Sequence, residues 1–344
     1  MAAKEYRFMY GKAEIPFNLD PQMVMGELTI KDHPPLKDPV AEIQKAIRNP
    51  IQSKPFREIV KPSQTVCFLV NDPTRVANSH VFMPILLNEL NSAGIPDKDM
   101  FIMFAVGAHR MLPAEEMAQL VGAETAKRVK MYNSDARNPK EFKYAGRTSR
   151  GNDVYFHKRA MEADHNICTG SIVYHFFAGF GGGRKAMFPG VTQYESICRN
   201  HALMLEPGAV IGKLKGNPAY DDQVEATEMK RPSFLLNVVL NEKKEFLKVY
   251  AGDYLQAHRD EDARAVRTGA PPRQATTVES TAVFSGPGSI FDLLGTLPKG
   301  SGVRLLEEQS GWVRIGTDRI PFGWVHADFV RGPKDPPGAG KPLP

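Results

Sequence analysis

Short, unbroken apolar runs that each end in a polar cluster are the feature that most restricts how this chain can fold. Residues 65–70 (TVCFLV) and 100–106 (MFIMFAV) are too short to span a membrane and too continuous for a half-exposed strand. Such runs suit strands buried on both faces, as in a parallel sheet. The first ends in Asn71-Asp72-Pro73-Thr74-Arg75 and the second in Gly107-Ala108-His109-Arg110. A third strand is expected over 165–169, feeding a long segment at 171–201, SIVYHFFAGFGGGRKAMFPGVTQYESICRNH. Helices are expected between them, one through PILLNELNSAG that stops at Gly94 and one opened by Pro113 that runs to Gly122. Strand–loop–helix repeats of this kind predict an α/β fold, a mostly parallel sheet with helices on both faces. Ligands of such sheets gather at the carboxyl ends of the strands, so the three polar clusters should converge on one edge.

The flanking elements are legible too. Residues 5–18 alternate apolar and polar around Gly11-Lys12, which predicts a hairpin. Asp38 as N-cap and Pro39 at the first helical position predict a helix over 38–49. Residues 218–229 read as a helix, 234–240 with 245–250 as a hairpin, and 253–267 as a last helix.

The central segment carries the chemistry. Gly181-Gly182-Gly183 lets backbone approach a ligand closely, and Arg184-Lys185 adds positive charge beside exposed N–H groups. Two phosphate motifs are excluded by position. A P-loop needs Gly-Lys-Ser/Thr, where Arg184, Lys185 and Ala186 stand. A GxGxxG read from Gly179 needs a third glycine where Arg184 stands. With the loops facing one pocket, Asp72, Thr74, Arg75, His109, Arg110, His175, Lys185 and His201 share it. Arginine can grip a carboxylate in a fixed fork, two imidazoles can exchange protons near neutrality, and a third is a common metal ligand.

Composition excludes other classes. A net charge of +5 without a Lys/Arg block or basic–aromatic interleaving argues against a nucleic-acid partner. No apolar run reaches the roughly 18 residues of a membrane span, and MAAKEYRFMYGK lacks the apolar core of a signal peptide. Three scattered cysteines, Cys67, Cys168 and Cys198, with no CxxC pair, predict free thiols in a reducing cytoplasm and no structural zinc.

Composition shifts after residue 268. A Pro-rich linker is expected over 269–276 (GAPPRQAT), then short β segments split by Gly and Pro over 277–331, and a disordered tail over 332–344. The SGPG, GTLPKG and paired GWV elements, with Trp312 and Trp324, resemble a bacterial Src-homology-3-like barrel. The resemblance implies a core holding both tryptophans and a peptide or glycan ligand, or a structural appendage.

Residues 5–265 resemble the nickel-dependent lactate racemases and their 2-hydroxyacid racemase relatives. The motifs are PPLKDP, NDPTR, VGAHR, TSRGNDV, HFFAGFGGGRKAMFPG, NHALMLEPGA, KGNPAYDD and LNVVLNEKKE. The resemblance implies a nickel-pincer nucleotide tethered at Lys185, supported by Thr74, Gly182, Gly183 and Arg184, with His201 as nickel ligand. It implies His109 and His175 as paired acid/base residues, Arg75 on the substrate carboxylate and Asp72 as an orienting group. The implied reaction is racemisation of a small 2-hydroxy acid, lactate by default, by hydride abstraction through a 2-keto acid. The implied partners are that substrate and the cofactor-synthesis enzymes, with self-association as a further option. Gly181 stands where serine is usual, and Val76-Ala77 where proline is common. The family continues into a second α/β domain, whereas the small barrel follows here. The alternative expectations are therefore a catalytically impaired nickel-nucleotide binder, or a scaffold acting through the barrel.

Overall fold

The computed structural model describes residues 3–11, 13–24, 33–259, 273–277, 280–284, 293–309, 312–316, 323–326 and 329–331. By contacts the chain divides into Met1–Pro34 and Pro35–Pro344. The first unit is the expected hairpin: β1 (Lys4–Tyr10) pairs antiparallel with β2 (Ala13–Leu19), from Lys4 opposite Leu19 to Tyr10 opposite Ala13. Alternation puts Phe8 and Phe17 on one face, where their rings stack at 4.9 Å.

The second unit opens with α1 (Pro39–Arg48), and Asp38 caps it by accepting from Ala41 N at 3.0 Å. β3 (Val66–Asn71) follows, then α2 (Ser79–Ser92), β4 (Met100–Ala105), α3 (Ala114–Val121), α4 (Ala123–Arg128) and β5 (Lys130–Asn133). α2 begins at Ser79 and runs through the expected PILLNELNS stretch to Ser92. Pro84 lies in its second turn, and the αL residue Asn78 (φ 55°) is what turns the chain into the helix. Next come the hairpin β6 (Phe142–Arg147) and β7 (Asp153–His157), α5 (Lys158–Glu162) and β8 (His165–Ser171). The segment after β8 forms a two-residue hairpin, β9 (Tyr174–His175) with β10 (Gly179–Phe180), then α6 (Tyr194–Ala202) and α7 (Pro218–Glu228). β11 (Phe234–Leu240), β12 (Phe246–Gly252) and α8 (Gln256–Arg259) complete it. The helix expected over 253–267 begins later, at Gln256, and 260–267 lie outside the described residues.

The main sheet has the order β12-β11-β8-β3-β4-β5, parallel throughout except for β12 against β11. Alternate residues of the buried strands face opposite sides, and each side has its own core. Val66, Phe68 and Val70 join Ile102, Phe104, Leu236 and Val238 under α1, α2 and α3, against Ile43, Phe82, Leu86 and Val121. Cys67, Leu69, Met103, Cys168 and Leu235 face the other way, against Ala160 of α5, Met187, Phe188, Ala226 of α7 and Ala257 of α8. Each such fully buried Leu or Phe contributes about 1.5–3 kcal/mol. Helices therefore cover both faces, as the sequence predicts. β8, β3 and β4 are neighbours, so their carboxyl ends lie side by side.

The C-terminal strands are β13 (Arg273–Thr277), β14 (Thr281–Phe284), β15 (Leu293–Leu297), β16 (Gly302–Gln309), β17 (Trp312–Gly316), β18 (Gly323–His326) and β19 (Val330–Arg331). They form one antiparallel sheet in the order β15-β14-β18-β17-β16-β13-β19, with Val303, Ile315 and Val325 buried. The linker expected over 269–276 is thereby shortened. Arg273–Thr276 pair with β16 instead. Backbone pairing sets Trp312 opposite His326 and Trp324 opposite Arg314, and the two tryptophan side chains lie outside what is described. Residues 269–272 and the tail 332–344 also lie outside the described residues. Among the described residues no helix is long and apolar enough to cross a membrane.

Candidate functional site

The loops after β3 and β4 and the segment after β8, as far as His201 of α6, enclose one cleft of about 670 Å³, its open mouth included. Asp72, Arg75, His109, His175, Gly182, Lys185 and His201 all line it. The convergence expected from the parallel sheet is therefore observed.

Asp72, only 5% exposed, ties two of the loops together. Its Oδ1 accepts from Thr74 N at 2.7 Å and Thr74 Oγ1 at 2.6 Å, and its Oδ2 lies 2.7 Å from His109 Nδ1. Burial alone would raise this carboxyl, but the hydrogen bonds from His109 and Thr74 outweigh it and hold it below the ordinary range. An ionised carboxylate only accepts, so Nδ1 of His109 carries the proton and a neutral ring keeps Nε2 as an acceptor. His109 and Arg75 stand on the exposed side of the cleft. A second stitch joins the β4 loop to the Pro189-Gly190 turn, through Gly107 N to Gly190 O at 2.9 Å. A side chain at Gly190 would meet Ala186 O at 2.3 Å and Ala105 Cβ at 2.6 Å, so glycine is required there.

The glycine run is held from below by β11. Asn237 Oδ1 accepts from Gly183 N at 2.7 Å, and a Cβ on Gly182 (φ 74°) would lie 2.5 Å from that same oxygen. His258 supports the run at a second point, with Nε2 2.8 Å from Gly181 O. Residues 183–186 then form one 3-10 turn. Lys185 projects into the cleft, where its Nζ lies 3.0 Å from His175 Nε2. Arg184 projects away. It is 1% exposed, lies over the Tyr220 ring at 4.4 Å, and donates to Ala178 O, Phe180 O and Gln223 Oε1 at 2.7, 3.0 and 3.1 Å.

Burial, with Lys185, Arg184 and Arg75 nearby, pushes His175 down to about 3. Burial and the adjacent Arg184 and Arg75 guanidiniums carry Lys185 well below the usual lysine range. Burial, then Lys185, brings His201 to about 4, although the Ile197 carbonyl one turn back works the other way. Both imidazoles therefore favour their uncharged forms at neutral pH, and Lys185 gives up its proton more readily than an ordinary lysine. His201 Nδ1 is buried and makes no well-formed hydrogen bond. The Phe177 ring sits between the imidazoles, 4.7 Å from His175 and 5.1 Å from His201.

Of the residues singled out in the sequence, Thr74, Gly183, Arg184 and Arg110 do not line the cleft. Thr74 braces Asp72, Gly183 anchors the loop, Arg184 is a buried brace, and Arg110 pairs with Glu116 at 2.8 Å. Sequence reasoning missed Asn71 and Ser171, which line the cleft, and Phe177 and Asn237, which shape it. Asn71 and Ser171 are the last residues of β3 and β8, a signal the strand-end rule could have used. Among the described residues no group of three His, Cys, Asp or Glu could hold a metal ion.

Fold and cleft together define an α/β protein whose strand-edge site combines three imidazoles, an exposed arginine and a buried amine. The chain belongs to the lactate racemase N-terminal domain family, which matches residues 10–212. Residues 279–331 match the bacterial SH3 domain. The chain is similar to the lactate racemase of Lactiplantibacillus plantarum, 32% identical over 73% of this chain and 60% of that protein. It is also similar to the lactate racemase of Thermoanaerobacterium thermosaccharolyticum, 29% identical over 72% of this chain and 59% of that protein. The structure of the latter's apoprotein matches with a TM-score of 0.66, at 28% identity, over 74% of this chain and 60% of that one. The match thus spans about 60% of the length of these relatives.

Proposed function

We propose that this cleft holds a nickel-pincer nucleotide and that the loaded chain interconverts the enantiomers of a small 2-hydroxy acid, lactate by default. The observation that carries the reading is the gathering of Arg75, His109, His175, Lys185 and His201 around one cleft. The donor set fits such a group. A metal site built from protein alone needs three or four ligands, whereas a metal that arrives in its own chelate needs few. His201 offers a neutral ring whose buried Nδ1 makes no well-formed hydrogen bond, Lys185 offers a buried amine held well below the usual lysine range, and Gly182 allows close backbone approach. In this reading His201 ligates nickel, Lys185 carries the covalent link, and the bound group supplies a hydride acceptor.

The residues account for the rest of the reaction. Losing the α-hydrogen as a proton would leave a high-energy dianion. Losing it as a hydride, while an imidazole takes the hydroxyl proton, leaves a 2-keto acid. Arg75 holds the carboxylate. His109, its Nδ1–H fixed by Asp72, presents Nε2 to the hydroxyl from one side, and His175 does so from the other. A planar keto acid can present either face, and the histidine opposite the first would return the hydroxyl proton. The cofactor-synthesis enzymes and the hydroxy acid are the partners of this reading, with a peptide or glycan as the ligand of the SH3-like segment. The exposure of Arg75 and His109 favours a second reading, a nickel-nucleotide binder with impaired turnover.

The test is co-expression with the cofactor-synthesis enzymes, followed by chiral assay of D- and L-lactate and measurement of nickel. Nickel-loaded protein that forms a racemate supports the first reading. Loaded protein without turnover supports the second. A chain that takes up no nickel refutes both.

A further inference from the structure

Lys185 and His201 stand on different elements, and each follows a residue whose side chain turns away from the cleft into the protein. Arg184 precedes Lys185 in the 3-10 turn, and Asn200, fully buried, precedes His201 near the end of α6. Both inward side chains meet on Gln223 of α7, itself 0% exposed. Its Oε1 accepts from Arg184 Nε at 3.1 Å, and its Nε2 donates to Asn200 Oδ1 at 2.8 Å. α7 holds Asn200 at two more points, since Asn200 Nδ2 donates to Ala219 O at 3.0 Å and to Asp222 Oδ2 at 2.8 Å. Asn152 Nδ2 donates to that same Oδ2 at 3.2 Å and to Ser196 O of α6 at 3.1 Å. A line of buried hydrogen bonds thus runs from Arg184 through Gln223 to Asn200, and at each end the next residue faces the cleft.

Apolar contact alone would bury these faces, but it fixes rotation about a helix axis poorly. Hydrogen bonds are directional, and a fully connected buried network specifies one arrangement. Consecutive helical residues point about 100° apart, so holding Asn200 on α7 sets the direction in which His201 leaves α6. His201 depends on that support. Its Nδ1 is buried without a well-formed hydrogen bond, and the Phe177 ring meets it edge-on at 5.1 Å. An amide suits the joint, because one end accepts from a guanidinium while the other donates to a carbonyl oxygen. We propose that Gln223, which does not line the cleft, is a positioning residue that holds the His201 imidazole and the Lys185 amine in register with each other. The inference rests on the reading of these two as nickel ligand and tether, and it names the part that fixes their spacing.

The experiment compares the wild-type chain with Gln223→Glu and Gln223→Met. An ionised glutamate keeps an acceptor for Arg184 but has no proton for Asn200 Oδ1, whereas methionine keeps the length and loses both bonds. In cofactor-loaded protein, nickel loss to excess EDTA is expected to be about tenfold faster or more in each variant. Gln223→Glu, with its Arg184 side intact, is expected to keep the Lys185 adduct by intact mass. Val121→Ala, in the core on the other side of the sheet, controls for general loss of stability and is expected to keep its nickel. Should Gln223→Met fail to fold, Gln223→Glu carries the comparison. In apo protein with isotope-labelled histidine, the His201 ring signals, assigned by His201→Gln, are expected to be single in wild type and doubled or broadened in the variants. Those of His165, which begins β8 at the opposite end of the sheet, should stay unchanged. Wild-type nickel retention in the Gln223 variants overturns the proposal, as does equally fast loss from Val121→Ala. The two readings fail separately. A wild-type chain that takes up no nickel overturns the racemase reading, and the apo signals then decide this inference: doubled signals support it and unchanged ones overturn it.

Discussion

His175 and His201 show how burial settles a residue's chemistry before any ligand does. Both lie partly buried near Lys185, His175 with Arg184 and Arg75 beside it as well, and each is far easier to leave neutral than to protonate. The unfolded chain takes up these protons near pH 6.5, while the fold resists them down to about 3 and 4. The unfolded state therefore binds more protons across that window, so stability is full above about pH 6.5 and falls as the solution is acidified. Thermal melts from pH 7.5 to 4 are expected to show this slope, and His175→Gln with His201→Gln to flatten it. An unchanged slope in the double variant would count against the shifts. The two imidazoles should part company in loaded protein. His201→Ala is expected to lose nickel, whereas His109→Ala and His175→Ala keep it and lose racemisation by about 10²-fold or more. Equal nickel loss in all three variants would overturn the roles.

The 3-10 turn at 183–186 explains both a success and a failure of sequence reading. With three residues per turn, consecutive side chains point about 120° apart, so Lys185 can face the cleft only if Arg184 does not. The letters GGGRK announce a basic glycine loop but not which base faces inward. That choice depends on Tyr220 and Gln223 of α7, far away in sequence, which receive the arginine. Arg184→Met is accordingly expected to leave Ala178 O, Phe180 O and Gln223 without their donor and to destabilise the fold by about 3 kcal/mol or more, read by denaturant titration. Wild-type stability with only cofactor loading lost would restore Arg184 to a ligand-binding role. The strands β3, β4 and β8 were legible because burial on both faces leaves an unbroken apolar run. β5 was not, since KMYN is four residues at the sheet edge with no buried position. Phe177 and Asn237 were invisible for a different reason: one fills space between two histidines and the other braces a distant loop, and neither role leaves a local pattern.

On the scale of the whole molecule, the cleft is well braced below and open above. Asn237, His258 and the Asp72–Thr74–His109 bonds fix its floor, while Arg75 and His109 face solvent. Hydride chemistry on a small carboxylate favours a site closed to water, because solvent weakens the grip on the substrate and lets the keto acid leave. An exposed arginine–carboxylate pair contributes only about 0–1 kcal/mol, whereas full positioning can lower a barrier by roughly 7–11 kcal/mol. Nickel-loaded chain in dilute solution is therefore expected to racemise lactate far more slowly than the L. plantarum relative. If a second copy covers the open side, specific activity should climb with protein concentration and track the dimer fraction in sedimentation. A dilute monomer with turnover equal to that relative would show that the open cleft is sufficient, and that Arg75 holds its substrate without help from above.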